Sequence, residues 1–416
     1  MLKAKASMAF ILATMLLDSI SLGLVNPILP RLIQLITGSD PSETGHLFGL
    51  LVASNSAMLF LAAPVIGRIS DRFGRRPVII IALSGMAINF LAAATANSLL
   101  LLFVAQIIAG TCGANVSTAA AYTADVTPPE ERAQKLSLLS AVFSTGFIIG
   151  PTLGGLLAEI NLRAPFFVAA GLVAVSVVFS LFVLPESLPP DRRRPFSFEG
   201  LFPFAALMRL PIGSTITALA AVLFFFQLGR VMAQSNWVLF MQYSFGWSAS
   251  EVGFSLGLWG LIGLVALVWL PKVLLPRLGE RRAILGGLSI IMVACVLYGS
   301  ATRGWMIYAI VIVSSVGFIA QPALQAVISK QVAANQQGEI QGALASLTGL
   351  GLIIGPILAN VSFDYFSGPT APVHIPGVAF YLAAVTIGLA VIIAAITPFK
   401  GAAPQPAPSS ESSNPA

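Results

Sequence analysis

The sequence is poor in charged residues, cysteine and histidine. Only 9% of its 416 residues are charged, whereas a soluble domain has about 25%, so a surface that faces water everywhere is excluded. The two cysteines, Cys112 and Cys295, lie in apolar runs, which argues against a disulfide framework. The chain also lacks a G-x-x-x-x-G-K-[ST] phosphate loop, a nucleophile–base set and any metal-ligand spacing. We therefore expect no enzyme activity, no cofactor, no metal site and no ATP-driven transport by this chain.

Long apolar runs dominate what is present. The chain is 57% hydrophobic with a mean hydropathy of +0.91, and in a bilayer only helices or closed barrels satisfy their backbone. The runs are about 20 residues long and do not alternate as barrel strands do, so they indicate helices. The first run is too long for a signal peptide and is expected to stay in the protein. We predict twelve spans near residues 8–30, 46–66, 77–96, 99–121, 136–158, 164–184, 212–234, 250–270, 283–300, 305–328, 340–362 and 376–396.

Basic residues crowd the loops on one side of this predicted topology. Except for Arg31, Arg163, Arg303 and Arg230, every lysine and arginine falls on the side that carries both chain ends and the loop 67–77. We call this side the basic face and the other side the opposite face. The positive-inside rule makes the basic face cytoplasmic. This placement accounts for the net charge of +6 without a nucleic-acid partner.

The two halves of the chain resemble each other. The segment "GFIIGPTLGG" (146–155) recurs as "GLIIGPILAN" (351–360), and "RFGRRPVI" (72–79) recurs as "RLGERRAI" (277–284), both 205 residues later. A duplicated six-helix unit is a common way to build a transporter. The Pro-rich, charged stretch between the halves predicts a linker, and the Pro/Ser/Ala-rich end predicts a disordered cytoplasmic tail. The predicted parts are an N-terminal bundle (1–184), a linker (185–211), a C-terminal bundle (212–397) and a tail (398–416).

Several motifs resemble one known family. The pattern G-x-x-x-D-R-x-G-R-R at 67–76 is similar to the signature loop of the major facilitator superfamily. The pattern G-x-x-x-G-P-x-x-G-G at 146–155 resembles the motif of its drug/proton antiporters. The stretches "LDSISLGLVNPILP" (17–30) and "AAYTADVTPPEERA" (120–133) are similar to bacterial tetracycline-resistance exporters. The resemblance implies an all-α membrane protein with twelve helices in two pseudo-symmetric six-helix bundles.

The signature loop is expected to act as a gate on the basic face. The resemblance implies that Asp71 faces the start of the eleventh span and that Arg75 pairs with Asp125. Two glycines fit a close approach and a tight turn, whereas the basic residues alone are also explained by topology. The predicted gate residues are Gly67, Asp71, Gly74, Arg75, Arg76 and Asp125.

The fifth span carries a face of small residues. Glycines four residues apart permit a close helix contact, and a proline within the span permits a bend. The resemblance implies an antiporter-specific interface, and the alternative is generic helix packing. The residues are Gly146, Gly150, Pro151, Gly154 and Gly155.

Two charged residues lie inside predicted spans. Asp18 is about 16 Å into the first span at 1.5 Å per residue, where a charge costs roughly 2.5–3.5 kcal/mol. We expect its carboxyl to carry protons, the alternative being a structural hydrogen bond. Arg230 in the seventh span either snorkels to the opposite face or serves a cavity, by holding Asp18 ionised or by attracting an anionic group.

Polar side chains within other spans predict a mixed, amphipathic substrate pocket. The predicted substrate-binding residues are Asn55, Asn89, Gln106, Asn115, Gln227, Arg230, Gln321 and Gln325. The chain departs from tetracycline exporters, which carry acids at the positions of Asn89 and Ile291 and a histidine at Gly263. Many relatives also have an arginine where this chain has Gln106. These departures argue against specifying tetracycline as the substrate.

The function predicted from sequence is proton-coupled export of a small amphipathic compound, an antibiotic or drug, by alternating access, as in tetracycline-type efflux. The expected partners are that substrate, protons and the lipid bilayer, and the expected form is a monomer in the bacterial inner membrane with both termini cytoplasmic. The alternative on the same fold is a carrier of a sugar or organic anion, which uptake assays would distinguish. A non-transporting receptor would be expected to carry large soluble appendages, and none is evident.

Overall fold

The described residues form helices and no strand. The computed structural model describes residues 2–113, 115–193, 195, 215–332 and 337–398. Most of the predicted linker and the tail from residue 399 lie outside the described residues. The helices are α1 Leu2–Val25, α2 Leu29–Thr37, α3 Gly45–Phe73, α4 Arg75–Thr95, α5 Leu99–Cys112, α6 Asn115–Val126, α7 Arg132–Ile160, α8 Ala164–Val183, α9 Thr215–Phe245, α10 Ala249–Leu278, α11 Glu280–Ser300, α12 Gly304–Ser314, α13 Ala320–Lys330, α14 Gln337–Ser367 and α15 Val378–Ile396.

The predicted number of spans is confirmed. Among the described residues, twelve helical stretches are long and apolar enough to cross a membrane. Helices α5 and α6 together make the fourth stretch, and α12 and α13 make the tenth. Large apolar side chains such as Ile81, Ile160 and Phe182 point outward, as expected of helices whose solvent is lipid. The fold is therefore an all-α membrane architecture.

The duplication is visible in the backbone as well as in the sequence. Helix α4 begins after Gly74 (φ 105°) and α11 begins after Gly279 (φ 74°), at equivalent positions of the two halves. The tenth span contains the 3₁₀ segment Ser315–Ile319 between α12 and α13. The predicted pseudo-symmetry therefore extends to the starts of α4 and α11.

Three apolar cores show how the halves meet. One contains only residues of the N-terminal half (α1–α8), such as Tyr122, and another only residues of the C-terminal half (α9–α15), such as Leu288. The third core joins both halves and includes Phe48, Phe240 and Phe363. Its members lie at the helix ends on the opposite face. The described halves therefore share a core on the opposite face and keep separate cores toward the basic face.

Helix pairs α7–α10 and α3–α14 carry the contact between the halves. Near the opposite face the backbones touch without intervening side chains: Gly155 lies against Ala249, and Gly253 lies against Pro151. Glycine is required because a Cβ at either position would overlap the partner backbone. The small residues of the fifth span thus allow close contact between the halves as well as within one half.

The other three glycines of the fifth span face α1. Gly150 meets Gly23, Gly154 meets Leu24, and Gly146 meets Ser19 and Leu16. The repeat in α14 is looser, because the nearest atom to a Cβ built at Gly351 is the Leu228 nitrogen, 3.7 Å away. Gly146 and Gly351 occupy equivalent positions of the two halves, yet only Gly146 lacks room for a methyl group.

This difference gives a matched test. We expect Gly146→Ala to destabilise the protein by about 1–3 kcal/mol, because overpacking forces α1 and α7 apart. Gly351→Ala should be neutral or stabilising, since alanine favours a helix by about 1 kcal/mol over glycine. Thermal unfolding of the two purified variants measures the difference. Equal stability of both variants would contradict the proposed close packing of α1 on α7.

Candidate functional site: central cavities and two gates

Asp18 lies buried inside the N-terminal half. Its side chain is 1% exposed, on α1. Asn115, the first residue of α6, donates from Nδ2 to Asp18 Oδ2 at 3.1 Å. The other carboxyl oxygen, Oδ1, makes no hydrogen bond to the described residues. The structure thus places Asp18 in the protein interior, away from lipid.

The N-terminal half contains a cavity lined by amides, which we call the N cavity. Its volume is about 220 Å³, and Asn26, Asn55, Asn89 and Gln106 line it together with apolar side chains. Asn55 donates from Nδ2 to the Gln106 backbone oxygen at 3.2 Å. The cavity lining contains hydrogen-bonding groups but no formal charge.

A second cavity, the interface cavity, lies between the halves. Its volume is about 170 Å³, and Ser56 and Val52 from α3 face Leu352 from α14 and Gln234 from α9 across it. Asn26 lines both the N cavity and the interface cavity. The two spaces therefore adjoin each other near the centre of the molecule.

Two further cavities, the Arg230 cavities, share that residue with Trp259 and Phe318. Their volumes are about 60 Å³ and about 320 Å³. The larger one also touches the N-terminal half through Phe147, which lines the N cavity as well. Arg230 hydrogen-bonds to Gln227 at 2.9 Å and to Gln234 at 3.3 Å. Arg230 thus faces an interior space rather than snorkelling to the surface, and Asp18 hydrogen-bonds to Asn115 rather than to it.

The predicted substrate-binding residues divide among these adjoining spaces. Asn55, Asn89 and Gln106 line the N cavity, and Gln321 lines the larger Arg230 cavity together with Arg230. The remaining three do not line these cavities: Asn115 binds Asp18, Gln227 binds Arg230, and Gln325 is exposed on α13. The eight residues do not share one cavity in this structure, and their role in substrate binding stays a prediction. Sequence order does not reveal which face of a helix meets which neighbour.

The residues predicted to form a gate on the basic face cluster around Arg75. Its guanidinium pairs with Asp71 at 2.6 Å and with Asp125 at 3.1 Å, and it donates to Ser70 at 2.5 Å. Asp71, in the last turn of α3, and Arg75, the first residue of α4, are four residues apart in the sequence. Arg76 donates to the Leu181 carbonyl oxygen at 2.6 Å. The cluster joins α3, α4, α6 and α8 within the N-terminal half.

An equivalent pair with exchanged charges occurs in the C-terminal half. Glu280 occupies the position of Arg75, and Lys330 occupies that of Asp125, each 205 residues later. Lys330 Nζ lies 2.5 Å from Glu280 Oε1. In the N-terminal half the ion pair joins the start of the third span to the end of the fourth, and in the C-terminal half it joins the start of the ninth to the end of the tenth. The duplication therefore preserves the ion pair but exchanges the positions of its two charges.

The sequence analysis missed Glu186, which follows α8. Its carboxylate accepts hydrogen bonds from the backbone nitrogens of Arg75 at 2.8 Å, Arg76 at 3.3 Å and Leu188 at 3.0 Å. An acid at a helix N-terminus satisfies free N–H groups and the helix dipole. The sequence showed Glu186 only as part of a linker, and nothing in that pattern indicated its role in capping α4.

The two signature-loop glycines have different surroundings. Gly74 has φ 105° and ψ 161°, a conformation that side chains rarely adopt, and the Glu186 carboxylate fills the place of a Cβ. Gly67 lies within α3, and a Cβ there would meet no described atom within 4 Å. The tight turn predicted at Gly74 is present, whereas the close approach predicted at Gly67 is not found among the described residues.

The two glycines provide a second matched test. Gly74→Ala should lower stability by about 1–3 kcal/mol, because the backbone conformation is strained for alanine and the Glu186 cap is displaced. Gly67→Ala should be tolerated, since a methyl group has room there. Unfolding temperature and transport rate of both variants provide the measurement. Equal loss in both variants would argue against this distinction.

A second cluster, also missed from sequence, joins the two halves on the opposite face, and we interpret it as a gate. Asp364 at the end of α14 accepts hydrogen bonds from the backbone nitrogens of Gly45 at 2.6 Å and His46 at 2.7 Å, and its Oδ2 lies 2.6 Å from His46 Nδ1. The carboxylate of one half thus caps the first turn of α3 in the other half. The sequence patterns analysed above gave no indication that Asp364 contacts Gly45 and His46, which lie more than 300 positions earlier.

Arg31 strengthens the same closure. Its Nη2 donates to the Trp247 carbonyl oxygen at 2.7 Å, so α2 of one half holds the loop before α10 of the other. Burial lowers the pKa of Arg31 below its ordinary value, and the charges of Glu159 and Glu251 oppose that effect. Gln34 and Gln242 exchange side-chain hydrogen bonds beside it.

Breaking this gate should expose the interface cavity. We expect Asp364→Ala to increase, by severalfold, the labelling of Ser56→Cys by a membrane-impermeant maleimide added at the opposite face, because the cap joining α3 and α14 is lost. Each labelling rate is corrected for the same variant without Ser56→Cys. Asp40→Ala, which alters an exposed acid on the same face, serves as the control. Unchanged labelling after Asp364→Ala would contradict a gating role for that contact.

Comparisons with known proteins agree with the fold. The sequence model described as Major Facilitator Superfamily matches residues 11–356 and 219–416. The tetracycline resistance protein, class C, of Escherichia coli is 40% identical over 363 residues, covering 87% of this chain and 91% of that protein. Multidrug resistance protein 2 of Bacillus subtilis is 29% identical over 370 residues, covering 86% and 89%.

A solved structure agrees at the level of fold. The nucleoside transporter NupG superposes with a TM-score of 0.74 at 15% identity, covering 94% of this chain and 99% of that one. The family match spans most of the chain, and the relatives are covered nearly end to end. The chain belongs to the Major Facilitator Superfamily.

Proposed function

We propose that this protein is a proton-coupled exporter of small amphipathic compounds that works by alternating access. Its relatives include a tetracycline resistance protein and a multidrug resistance protein, each matched over more than four-fifths of this chain. The basic face is cytoplasmic in this proposal, and the membrane is the bacterial inner membrane. Family membership and these relatives support a transport protein rather than an enzyme.

The observation that carries proton coupling is the environment of Asp18. A buried carboxylate needs partners for its charge, and here one oxygen has Asn115 while the other has no described partner. Such a group can hold a proton in one state of the transporter and release it in another. Asp18 lies on α1 and contacts α6 through Asn115. A proton on Asp18 would therefore affect the contact between these two helices, and α1 also packs on the glycines of α7.

The arrangement of the cores supports alternating access. The halves share an apolar core and two hydrogen-bonded contacts on the opposite face. Separate cores toward the basic face allow each half to move as a unit. We propose that release of the Asp364 and Arg31 contacts opens the opposite face, while the Arg75 cluster on the basic face closes against the C-terminal half.

Energetically, one coupled proton is sufficient. Moving one charge through 100 mV supplies about 2.3 kcal/mol, which corresponds to roughly fifty-fold accumulation at 1.36 kcal/mol per tenfold change. The substrate is proposed as an amphipathic compound rather than tetracycline. Asn89 lines the N cavity, and Gly263 and Ile291 line the Arg230 cavities, so the departures from tetracycline exporters are located in the cavity walls.

A second candidate, a carrier of organic anions for uptake, is favoured by one observation, the cation Arg230 in the cavity wall. The direction of transport separates the two. An exporter accumulates substrate in inverted vesicles when a proton gradient is imposed, whereas an uptake carrier accumulates it in right-side-out vesicles.

Asp18→Asn tests the proton carrier. We expect this variant to lose gradient-driven accumulation in inverted vesicles and to retain substrate exchange across the membrane, because the amide cannot bind and release a proton. Asp40→Asn, which neutralises an exposed acid, should behave as the wild type. Gradient-driven transport at the wild-type rate in Asp18→Asn would eliminate Asp18 as the carrier.

A further inference from the structure

Arg230 differs from the other partly buried arginines in its partners. Arg75 is paired with two carboxylates, Arg163 donates to the carbonyl oxygens of Ala94 and Ala96, and Arg31 donates to that of Trp247. Arg230 forms no ion pair within the described part of the chain, and its described hydrogen bonds go to two neutral amides. Its charge is therefore not compensated by a described carboxylate.

Part of this guanidinium has no described hydrogen-bond partner, and Arg230 lines both Arg230 cavities. A guanidinium has five N–H donors. Nε binds Gln227 and Nη1 binds Gln234, while Nη2 makes no hydrogen bond to the described residues. Neither Arg230 cavity has an aspartate or glutamate in its lining. An interior charge without a counter-ion is unfavourable, so an anion placed here gains a strong, charge-assisted pair.

The remaining walls are suited to an apolar, aromatic body. Trp237, Trp259, Phe318 and Tyr298 line the smaller cavity, and Trp259 and Phe318 are shared with the larger one. The rings of Trp259 and Phe318 pack edge to face at 5.8 Å between centroids. Aromatic walls favour flat hydrophobic molecules. By contrast, amides line the N cavity without a formal charge.

We propose that the Arg230 cavities bind an amphipathic aromatic anion, with its carboxylate or sulfonate on Arg230 and its ring system against the walls formed by Trp259 and Phe318. The proposal rests on the transport function above and specifies its substrate class. Gln227 and Gln234 are positioning residues here, because each accepts a hydrogen bond from one nitrogen of the guanidinium and leaves Nη2 without a described partner. The proposal gives a binding role to Arg230, a cation in the wall of cavities that have no acidic lining residue.

Binding tests this proposal separately from transport. The purified protein is dialysed against 1-pyrenebutyrate, 1-pyrenebutanol or 1-pyrenebutylamine at pH 7.5, with equal detergent on both sides so that uptake by micelles cancels. These probes share one ring system and differ in charge. We expect the wild type to bind the carboxylate at least tenfold more tightly than the alcohol or the amine. Equal affinities for the three, or no binding of the carboxylate, would overturn the proposal.

Two substitutions at Arg230 define the role of its charge. Arg230→Gln should reduce carboxylate affinity at least tenfold and leave alcohol affinity within twofold of the wild type. Arg230→Lys should retain most of the carboxylate preference, because the charge remains although the fork geometry is lost. Wild-type affinity for the carboxylate in Arg230→Gln would refute the assignment.

Ile291→Glu tests the same charge without removing the arginine. Ile291 lines the smaller cavity with Arg230, so an acid there should neutralise the site, weaken carboxylate binding and reverse the preference toward the amine. A preference identical to that of the wild type would count against the proposal. Carboxylate binding without gradient-driven transport in inverted vesicles would refute the exporter function while leaving this binding site intact.

Discussion

The constraint on which the structure depends is that charge inside a membrane protein must find its partners within the protein. The bilayer supplies no water to solvate an isolated ion, so each interior charge of this chain indicates a specific contact. Arg75 has two carboxylates, Asp18 has an amide, and Arg230 has two amides and a cavity. Arg75, whose charge is balanced by two carboxylates, has a structural role in this interpretation. Asp18 and Arg230, which contact only neutral amides, are the groups proposed to bind a proton and a substrate.

Close backbone contact is the second determinant of the architecture. Glycines of α7 let α1 approach on one side and, through Gly155, let α10 approach on another. One helix thereby contacts both the helix that carries Asp18 and the other half of the molecule. A change in the packing of α7 would alter both contacts, and in the proposed mechanism it couples a proton at Asp18 to movement of the halves.

The duplication has kept geometry more strictly than charge. The helix start at Gly74 recurs at Gly279, with a positive φ at both glycines. The ion pair on the basic face recurs with inverted polarity, as Arg75–Asp125 and Glu280–Lys330. An ion pair tolerates this exchange because its attraction is unchanged when both charges are reversed. The tight packing of Gly146 was not kept at Gly351, where there is room for a methyl group.

Sequence alone determined the twelve spans, the basic face, the repeat and the turn at Gly74, because each depends on local composition or on backbone preference within a few residues. The pairing of Arg75 with Asp125 was expected only from the family resemblance, and the geometry places the two groups together. Only the tertiary structure decided that Asp364 caps α3, that Glu186 caps α4, and that the polar residues are divided among several cavities. Those features depend on which faces of distant helices meet, and the near-uniform apolarity of membrane helices leaves little periodic signal in the sequence from which to predict those faces.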